Sequence, residues 1–189
     1  MARKAKKKVA KGSVVSQPRK AQSRPLWAML FFTLAALVAV SVFDYNTKQY
    51  NATEQVDPNL VGYFGSYVGF FGFHFLGVAV FLLPVFIFWF ALRLAMQQDR
   101  GKRLTTVLVA PVAIFCASSL MAMMWPGSSA EGSIFEDQLS NGFGGVVGEM
   151  LGPVLMEPYI GPFGTVLILL MGFFIGALVV FTDNLGRFS

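Results

Sequence analysis

Charged residues are scarce in this sequence: 13% of its 189 residues are Asp, Glu, Lys or Arg, whereas 55% are hydrophobic. Soluble domains carry about 25% charged residues, so this composition excludes an ordinary soluble protein. The mean hydropathy of +0.61 indicates an integral membrane protein instead. A helix that crosses the hydrocarbon core of a bilayer needs about 20 apolar residues, and the sequence contains several runs of that length.

Residues that carry chemistry are equally scarce. The single cysteine, Cys116, excludes an internal disulfide. The single histidine, His74, has no partner at metal-ligand spacing, and we favour a histidine that reaches the interface or hydrogen-bonds a neighbouring helix over a metal ligand or proton relay. The predicted spans contain no carboxylate, and the sequence has no triad, zinc motif or paired-acid site. We therefore expect a protein that is not an enzyme and has no catalytic residue, metal or cofactor.

Four apolar runs predict membrane-spanning helices at about 26–43, 70–92, 104–125 and 162–182. The second run extends from Val61 to Leu92 and would measure about 45 Å as one helix, which exceeds the bilayer thickness. We therefore interpret its glycine-rich start, 59–69, as a segment at the outer interface, and we expect a kink at Pro84. A cleaved signal peptide ending near 39–41 is the competing interpretation of the first run. It is disfavoured because the run is long and three more follow.

Basic residues lie almost entirely on one side of these spans. All Lys and Arg except Lys48 are in the N-terminal tail, in the connector between the second and third spans, or at the C-terminus. By the positive-inside rule both termini are cytoplasmic and the two acidic connectors face outward. The basic tail 1–25 has no apolar periodicity, so we expect it to be disordered and to contact anionic lipid rather than nucleic acid. Residues 183–189 form a short cytoplasmic C-terminus.

A glycine-rich stretch at about 142–158 precedes the last span. On a helix its apolar side chains cover one half of the cylinder, Gly144, Gly148 and Gly152 form an adjacent stripe, and Glu149 falls on the remaining side. Such a helix can lie along the outer surface with its glycine stripe against another backbone. A shallow re-entrant loop is the alternative. The predicted fold class is an all-α integral membrane protein with four transmembrane helices plus this extracytoplasmic amphipathic or re-entrant helix, N-in and C-in.

Small residues recur at four-residue spacing in other predicted helices. Gly65 and Gly69 form one such pair, and Gly172 and Gly176 form another. We favour close packing within the chain over a dimer seam for both pairs. The candidates for helix packing or partner docking are Gly62, Gly65, Gly69, Gly77, Pro84, Gly144, Gly145, Gly148, Gly152, Gly164, Gly172 and Gly176.

Two blocks of these residues resemble a known family. The pattern Asn59-Leu60-x-Gly62-x-x-Gly65, followed by Gly77 and Pro84, is similar to the second membrane segment of the FtsK/SpoIIIE DNA translocases. The later block Gly144-Gly145-Val146-Val147-Gly148, with Leu151, Leu155 and Gly164-Thr165, resembles the outer GGxxG…L…GT element of that family. The resemblance covers roughly Arg24 to Thr182, which corresponds to the N-terminal four-span domain.

The resemblance implies a non-catalytic anchor or scaffold in the bacterial cytoplasmic (inner) membrane, formed by a four-span domain at 26–182. In the family this domain anchors the translocase at the division septum and helps assemble the division machinery, while a cytoplasmic ATPase motor pumps DNA during chromosome segregation. The expected partners are the lipid bilayer, further copies of the chain, division-machinery membrane proteins and a separately encoded motor. We expect the glycine-rich stretch to form an outer-surface helix that packs the last spans and docks division partners.

Two expectations concern the limits of this resemblance. The sequence ends at Ser189 without a linker, an ATP site or a DNA-reading module, so we expect neither DNA translocation nor direct DNA binding by this chain alone. A stand-alone anchor, one part of a split gene and a truncated product all fit. The alternative function is a small membrane channel or transporter, in which the glycine-rich stretch is a re-entrant pore element and His74 gates it. Its polar lining would come chiefly from Ser118, Ser119 and His74.

Overall fold

The computed structural model describes residues 25–49, 58–96, 100–125, 135, 138–139 and 141–182. All regular structure in these residues is helical, and four apolar stretches are long enough to cross a membrane. They are Leu26–Phe43, Tyr63–Ala95, Leu104–Met124 and Gly145–Phe181. The predicted all-α class with four membrane-spanning stretches is confirmed. The predicted basic tail, apart from Pro25, and the predicted C-terminus 183–189 lie outside the described residues.

The described part of the chain forms helices α1 to α6 in sequence order. Their bounds are α1 Pro25–Phe43, α2 Tyr63–Leu76, α3 Leu82–Ala95, α4 Arg100–Met124, α5 Gly145–Glu149 and α6 Glu157–Phe181. Two 3₁₀ helices lie at Thr47–Gln49 and Gly77–Phe81, and a π-helix, Met150–Met156, joins α5 to α6. The buried core includes side chains from five of these helices, among them Val42, Phe73, Phe86, Ala113 and Val180.

Helix α1 packs in the opposite direction alongside α3 and the 3₁₀ helix before it, through aromatic pairs. The ring centroids of Phe31 and Phe90 are 4.9 Å apart, and those of Phe43 and Phe81 are 5.2 Å apart. Edge-to-face and tilted pairs at such distances are favourable beyond the area they bury. Phe43 ends α1, so Phe81 marks the same level on the second apolar stretch. We call this end of the bundle, where α4 also ends, the outer end, in keeping with the predicted topology.

The second apolar stretch is interrupted at Gly77, and the predicted kink at Pro84 is wrong. Gly77 has φ 57° and ψ −140°, a conformation that only glycine adopts readily, and it ends α2. Pro84 is instead the third residue of α3, where the missing N–H breaks no intrahelical bond. Regular helix also begins at Tyr63 rather than near Phe70. Because Phe81 lies level with the end of α1, α2 lies at the outer end of the bundle. Helix α3 then runs from that end alongside α1.

Helix α6 packs along α4 through small residues. A β-carbon added to Gly172 would lie 2.9 Å from the Cys116 sulfur, and one added to Gly176 would lie 2.9 Å from the Ala113 β-carbon. Both distances are shorter than van der Waals contact, so the two backbones approach as closely as glycine permits. This glycine pair therefore seats α6 on α4 within the chain.

The inner ends of three helices are joined by polar contacts. The guanidinium of Arg93 donates a hydrogen bond of 3.0 Å to Thr106 Oγ1 and lies 5.8 Å from the centre of the Trp89 ring. The indole N–H of Trp89 donates to the Val180 carbonyl at 2.8 Å. Arg93 is 3% exposed, although its place in the sequence assigns it to a basic connector. It therefore helps to join α3 to α4.

Helix α6 contains one break near its start. Gly161 has φ 72° and ψ 166°, which no regular helix contains, and Pro162 follows it. Proline fits the first position of a helix, so the straight part of α6 restarts there. This straight part coincides with the predicted last span, 162–182. Residues 144–160 form a separate segment before it, which we call the outer segment.

Candidate functional site: the glycine joint

The asparagine-glycine motif before α2 ties that helix to the end of α1. The Asn59 side chain is 2% exposed, and its amide donates to the Ser41 carbonyl at 3.2 Å while its carbonyl oxygen accepts the Val61 N–H at 3.0 Å. A β-carbon at Gly65 would lie 2.7 Å from Asn59 Cγ, so glycine is needed there to admit the asparagine. Gly62 makes the turn with φ 69°. The motif thus fixes where α2 starts.

Gly69 provides a second contact between α2 and the end of α1. The ring of Tyr45 lies directly over it, since a β-carbon at Gly69 would be 2.5 Å from Tyr45 Cγ. Tyr45 is itself buried and stacks on Phe73 with ring centroids 5.5 Å apart. Gly65 and Gly69 therefore both make contacts within the chain. The sequence shows their spacing, but it does not identify Tyr45 as the residue that covers Gly69.

Asn59 offers a test of this attachment. Replacing it with alanine removes the bond to Ser41 and leaves a buried cavity, so we expect a loss of about 1–3 kcal/mol in the free energy of unfolding. Thermal unfolding in detergent, followed by circular dichroism, measures it. Asn46→Ala is the matched control, because the Asn46 side chain is half-buried and accepts a local bond from the Lys48 N–H. Equal losses for the two variants would contradict the role given to Asn59.

Two glycines with positive φ meet where α2 ends and α5 begins. Gly77 has φ 57° and Gly145 has φ 60°. A β-carbon on Gly145 would lie 2.6 Å from the backbone nitrogen of Gly77, and one on Gly77 would lie 2.7 Å from the nitrogen of Gly145. Next to them the Val78 N–H donates to the Phe143 carbonyl at 2.9 Å. Each glycine thus has both the conformation and the crowding that exclude a side chain.

The stripe of Gly144, Gly148 and Gly152 rests on α4. A β-carbon at Gly148 would lie 2.7 Å from the carbonyl carbon of Ser118, and one at Gly144 would lie 2.5 Å from the β-carbon of Ala122. The Ser118 hydroxyl donates to the Gly144 carbonyl at 2.5 Å. We call Gly77, Gly144, Gly145 and Gly148, with Ser118, the glycine joint. It fastens α2 and the outer segment to α4.

The opposite face of the outer segment is open. Met150, Val154 and Leu155 are 60%, 68% and 57% exposed, and Glu149 is also exposed. Ser118 lies six residues before the end of α4, a rise of about 9 Å, so this segment crosses the outermost turns of that helix. Its apolar face is available to lipid or to a partner, and its glycine face is not.

The remaining candidates have simpler surroundings. The nearest described atom to a β-carbon on Gly164 is Ile160 Cβ at 3.5 Å, which is ordinary contact. His74 Nδ1 lies 2.7 Å from the amide nitrogen of Asn141, and its ring stacks on Phe70. His74 is therefore hydrogen-bonded, as in one form of the favoured interpretation, but its partner lies in the bend before α5 and not on a neighbouring helix. Among the described residues no three His, Cys, Asp or Glu side chains lie close enough together to hold a metal.

The serines proposed as pore-lining residues do not line a polar path. Ser118 bonds the Gly144 carbonyl, and Ser119 donates to the Phe115 carbonyl at 2.9 Å. Both are fully buried. Their hydroxyls are satisfied by backbone, as serine hydroxyls in membrane helices commonly are. Two of the three polar side chains named for the channel alternative are therefore buried and bonded within the chain.

Comparison with known families assigns the chain. Residues 20–188 match the family described as the 4TM region of DNA translocase FtsK/SpoIIIE. Comparison with curated proteins and with solved structures gave no significant match. The match covers most of the 189 residues, including the glycine joint and the four apolar stretches. The chain is therefore a multi-pass membrane protein that belongs to the 4TM family of the FtsK/SpoIIIE DNA translocases.

Proposed function

We propose that this protein is a non-catalytic membrane anchor and scaffold of an FtsK-type DNA translocase system, acting in cell division and chromosome segregation at the septum. The observation that carries the proposal is the family match over residues 20–188. The glycine joint supports it, because it gives the outer end of the bundle a fixed arrangement on which a partner can dock. Ser118 and Ser119, two of the three polar residues named for the channel alternative, bond backbone carbonyls within the chain, which favours the anchor.

The proposed orientation places both termini in the cytoplasm of a bacterial cell, with the protein in the inner membrane. It rests on the sequence, in which Lys48 is the one basic residue assigned to the outer side. In this orientation the glycine joint and the exposed face of the outer segment lie at the extracytoplasmic surface. Division-machinery membrane proteins would meet that face. A separately encoded motor would act on the cytoplasmic side.

Self-association is part of the proposal, since ring-forming motors need an anchor that assembles with them. The helix surfaces available for self-association are apolar and exposed. They include Phe174 and Leu178 on α6. Gly172 and Gly176 do not contribute, because they are covered by α4. Copies of the chain would thus meet through large side chains rather than through a glycine seam.

A fluorescent protein fused to the N-terminus tests the septal role. With the native copy replaced by the fusion in the source organism, we expect enrichment at midcell relative to a uniform membrane dye. A fluorescent fusion to an unrelated multi-pass membrane protein, expressed at the same level, is the control for the doubled membrane at the septum. An intact fusion that is spread evenly around the membrane would remove the proposed role in division and leave the family assignment unchanged.

A further inference from the structure

An apolar groove of about 480 Å³ lies between α1, α3 and α4. Its lining includes Phe31 of α1, Leu83 and Phe90 of α3, and Val107 and Phe115 of α4. Val107 and Phe115 are 51% and 41% exposed, so the groove opens away from the core of the bundle. In a membrane protein a groove with this lining faces lipid.

The height of the groove matches one leaflet. Along α4 it extends from Thr106 to Phe115, a separation of nine residues that corresponds to a rise of about 14 Å. The hydrocarbon core of a bilayer is about 30 Å thick, so the groove covers about half of it. At the end nearest the start of α4, the groove begins at Thr106, two residues after Leu104, where the apolar part of α4 begins. The groove therefore belongs to the leaflet on the side where α1 starts, which is the inner leaflet in the topology proposed above.

The end of helix α2 lies at the other end of the groove. Leu76 at the end of α2 lines it together with Leu83 and Phe115, and these three residues also line a second groove beside α2. Helix α2 starts at the end of α1, where Asn59 holds it, and ends at the glycine joint on α4. It thus crosses the gap between α1 and α4. A straight transmembrane helix placed in the groove would meet α2, whereas a flexible acyl chain ends or bends below it.

We propose that this groove binds one acyl chain of a glycerophospholipid from the inner leaflet. The groove, with a volume of about 480 Å³, has room for much of one acyl chain, whereas a helix with its side chains is about 10–12 Å across. The second chain and the headgroup remain in the surrounding leaflet. The bound lipid acts as a fixed spacer that keeps α1 and α4 apart below α2.

Native mass spectrometry of the full chain tests this proposal. The protein is purified in detergent, exchanged against excess dioleoylphosphatidylglycerol, and then transferred to detergent without lipid. We expect one retained lipid per wild-type chain. The single-chain lipid oleoyl-lysophosphatidylcholine should displace it, whereas glycerophosphocholine, which has the headgroup and no chain, should not.

Two variants on α4 locate the bound chain. Val107→Trp fills the groove and should lower lipid occupancy at least tenfold. Val112→Trp makes the same change at a position that is equally exposed, 53% against 51%, and that is not part of the groove lining. It should retain the lipid. Circular dichroism checks that both variants fold, and Val107→Phe replaces Val107→Trp if the tryptophan prevents folding.

Three results would overturn the proposal. The first is a wild-type chain that retains no lipid, which needs no variant to observe. The second is equal retention by the Val107 and Val112 variants. The third is a wild-type dimer that only the Val107 variant converts to a monomer, since a helix of a second copy would then occupy the groove.

Discussion

Replacing Gly77 with alanine should destabilise the protein far more than the same replacement at Gly62. The two glycines have nearly the same backbone conformation, with φ 57° and ψ −140° at Gly77 and φ 69° and ψ −153° at Gly62. An alanine in this region carries a backbone strain of about 1–3 kcal/mol at either position. The strain itself therefore does not distinguish the two variants.

Their surroundings differ completely. A β-carbon at Gly77 would overlap the Phe143 carbonyl oxygen and would lie 2.7 Å from the nitrogen of Gly145, so two backbones would have to separate. No described atom lies within 4 Å of a β-carbon at Gly62. Overpacking of this kind adds about 1–3 kcal/mol or more. For Gly77→Ala the total reaches about 2–6 kcal/mol, a large part of the 5–15 kcal/mol that holds a typical domain folded.

The difference between the two alanine variants is the measurement. Thermal unfolding in the same detergent, followed by circular dichroism, should show Gly77→Ala unfolding well below Gly62→Ala. A Gly77 variant that is too unstable to purify, alongside a Gly62 variant that purifies normally, supports the same conclusion. Equal stability of the two variants would mean that the backbone of Gly77 does not pack closely against Phe143 and Gly145.

The sequence was sufficient to predict the fold class, because each apolar stretch carries its own signal of length and hydropathy. It also identified Gly144, Gly148 and Gly152 as one face, since a helical stripe is visible at fixed spacing. What these glycines contact was not visible. Gly77 and Gly145 are separated in the sequence by the whole of α3 and α4 and by the connector after each, and no local pattern relates two such positions.

The misplaced kink has a similar origin. Proline inside an apolar run predicts a kink when the run is one helix, but it is equally suited to the first turn of a new helix. Deciding between the two requires knowing that α2 ends at Gly77, and that ending depends on the contact with Phe143 and Gly145. Arg93 was assigned to a connector for a related reason, because its partner Thr106 is on the next helix. In both cases the local sequence allows two interpretations, and the contacts between segments that decide between them are not visible in the sequence.

Replacing Gly148 with leucine should detach the outer segment from α4. Gly148 lies within helix α5, so leucine adds no backbone strain there and acts mainly through its steric contact with α4. Its β-carbon would lie 2.7 Å from the carbonyl carbon of Ser118 and 2.8 Å from the Ser118 hydroxyl oxygen. The backbone of α4 cannot rotate away as a side chain can. We expect a loss of about 3 kcal/mol or more in the free energy of unfolding, together with loss of the Ser118 bond to Gly144.

Gly164→Leu is the matched control, because it makes the same change on the same side of the bundle. A β-carbon there meets Ile160 at 3.5 Å, an ordinary contact, and leucine is a better helix former than glycine, so the free energy of unfolding should stay within about 1 kcal/mol of the wild-type value. Thermal unfolding separates the two variants in detergent, and the N-terminal fluorescent fusion separates them in cells. If the exposed face of Met150 and Val154 docks division partners, Gly148→Leu should lose midcell enrichment while Gly164→Leu keeps it. Wild-type stability of Gly148→Leu would contradict the close packing on α4, and a destabilised Gly148→Leu fusion that keeps midcell enrichment would contradict the docking role.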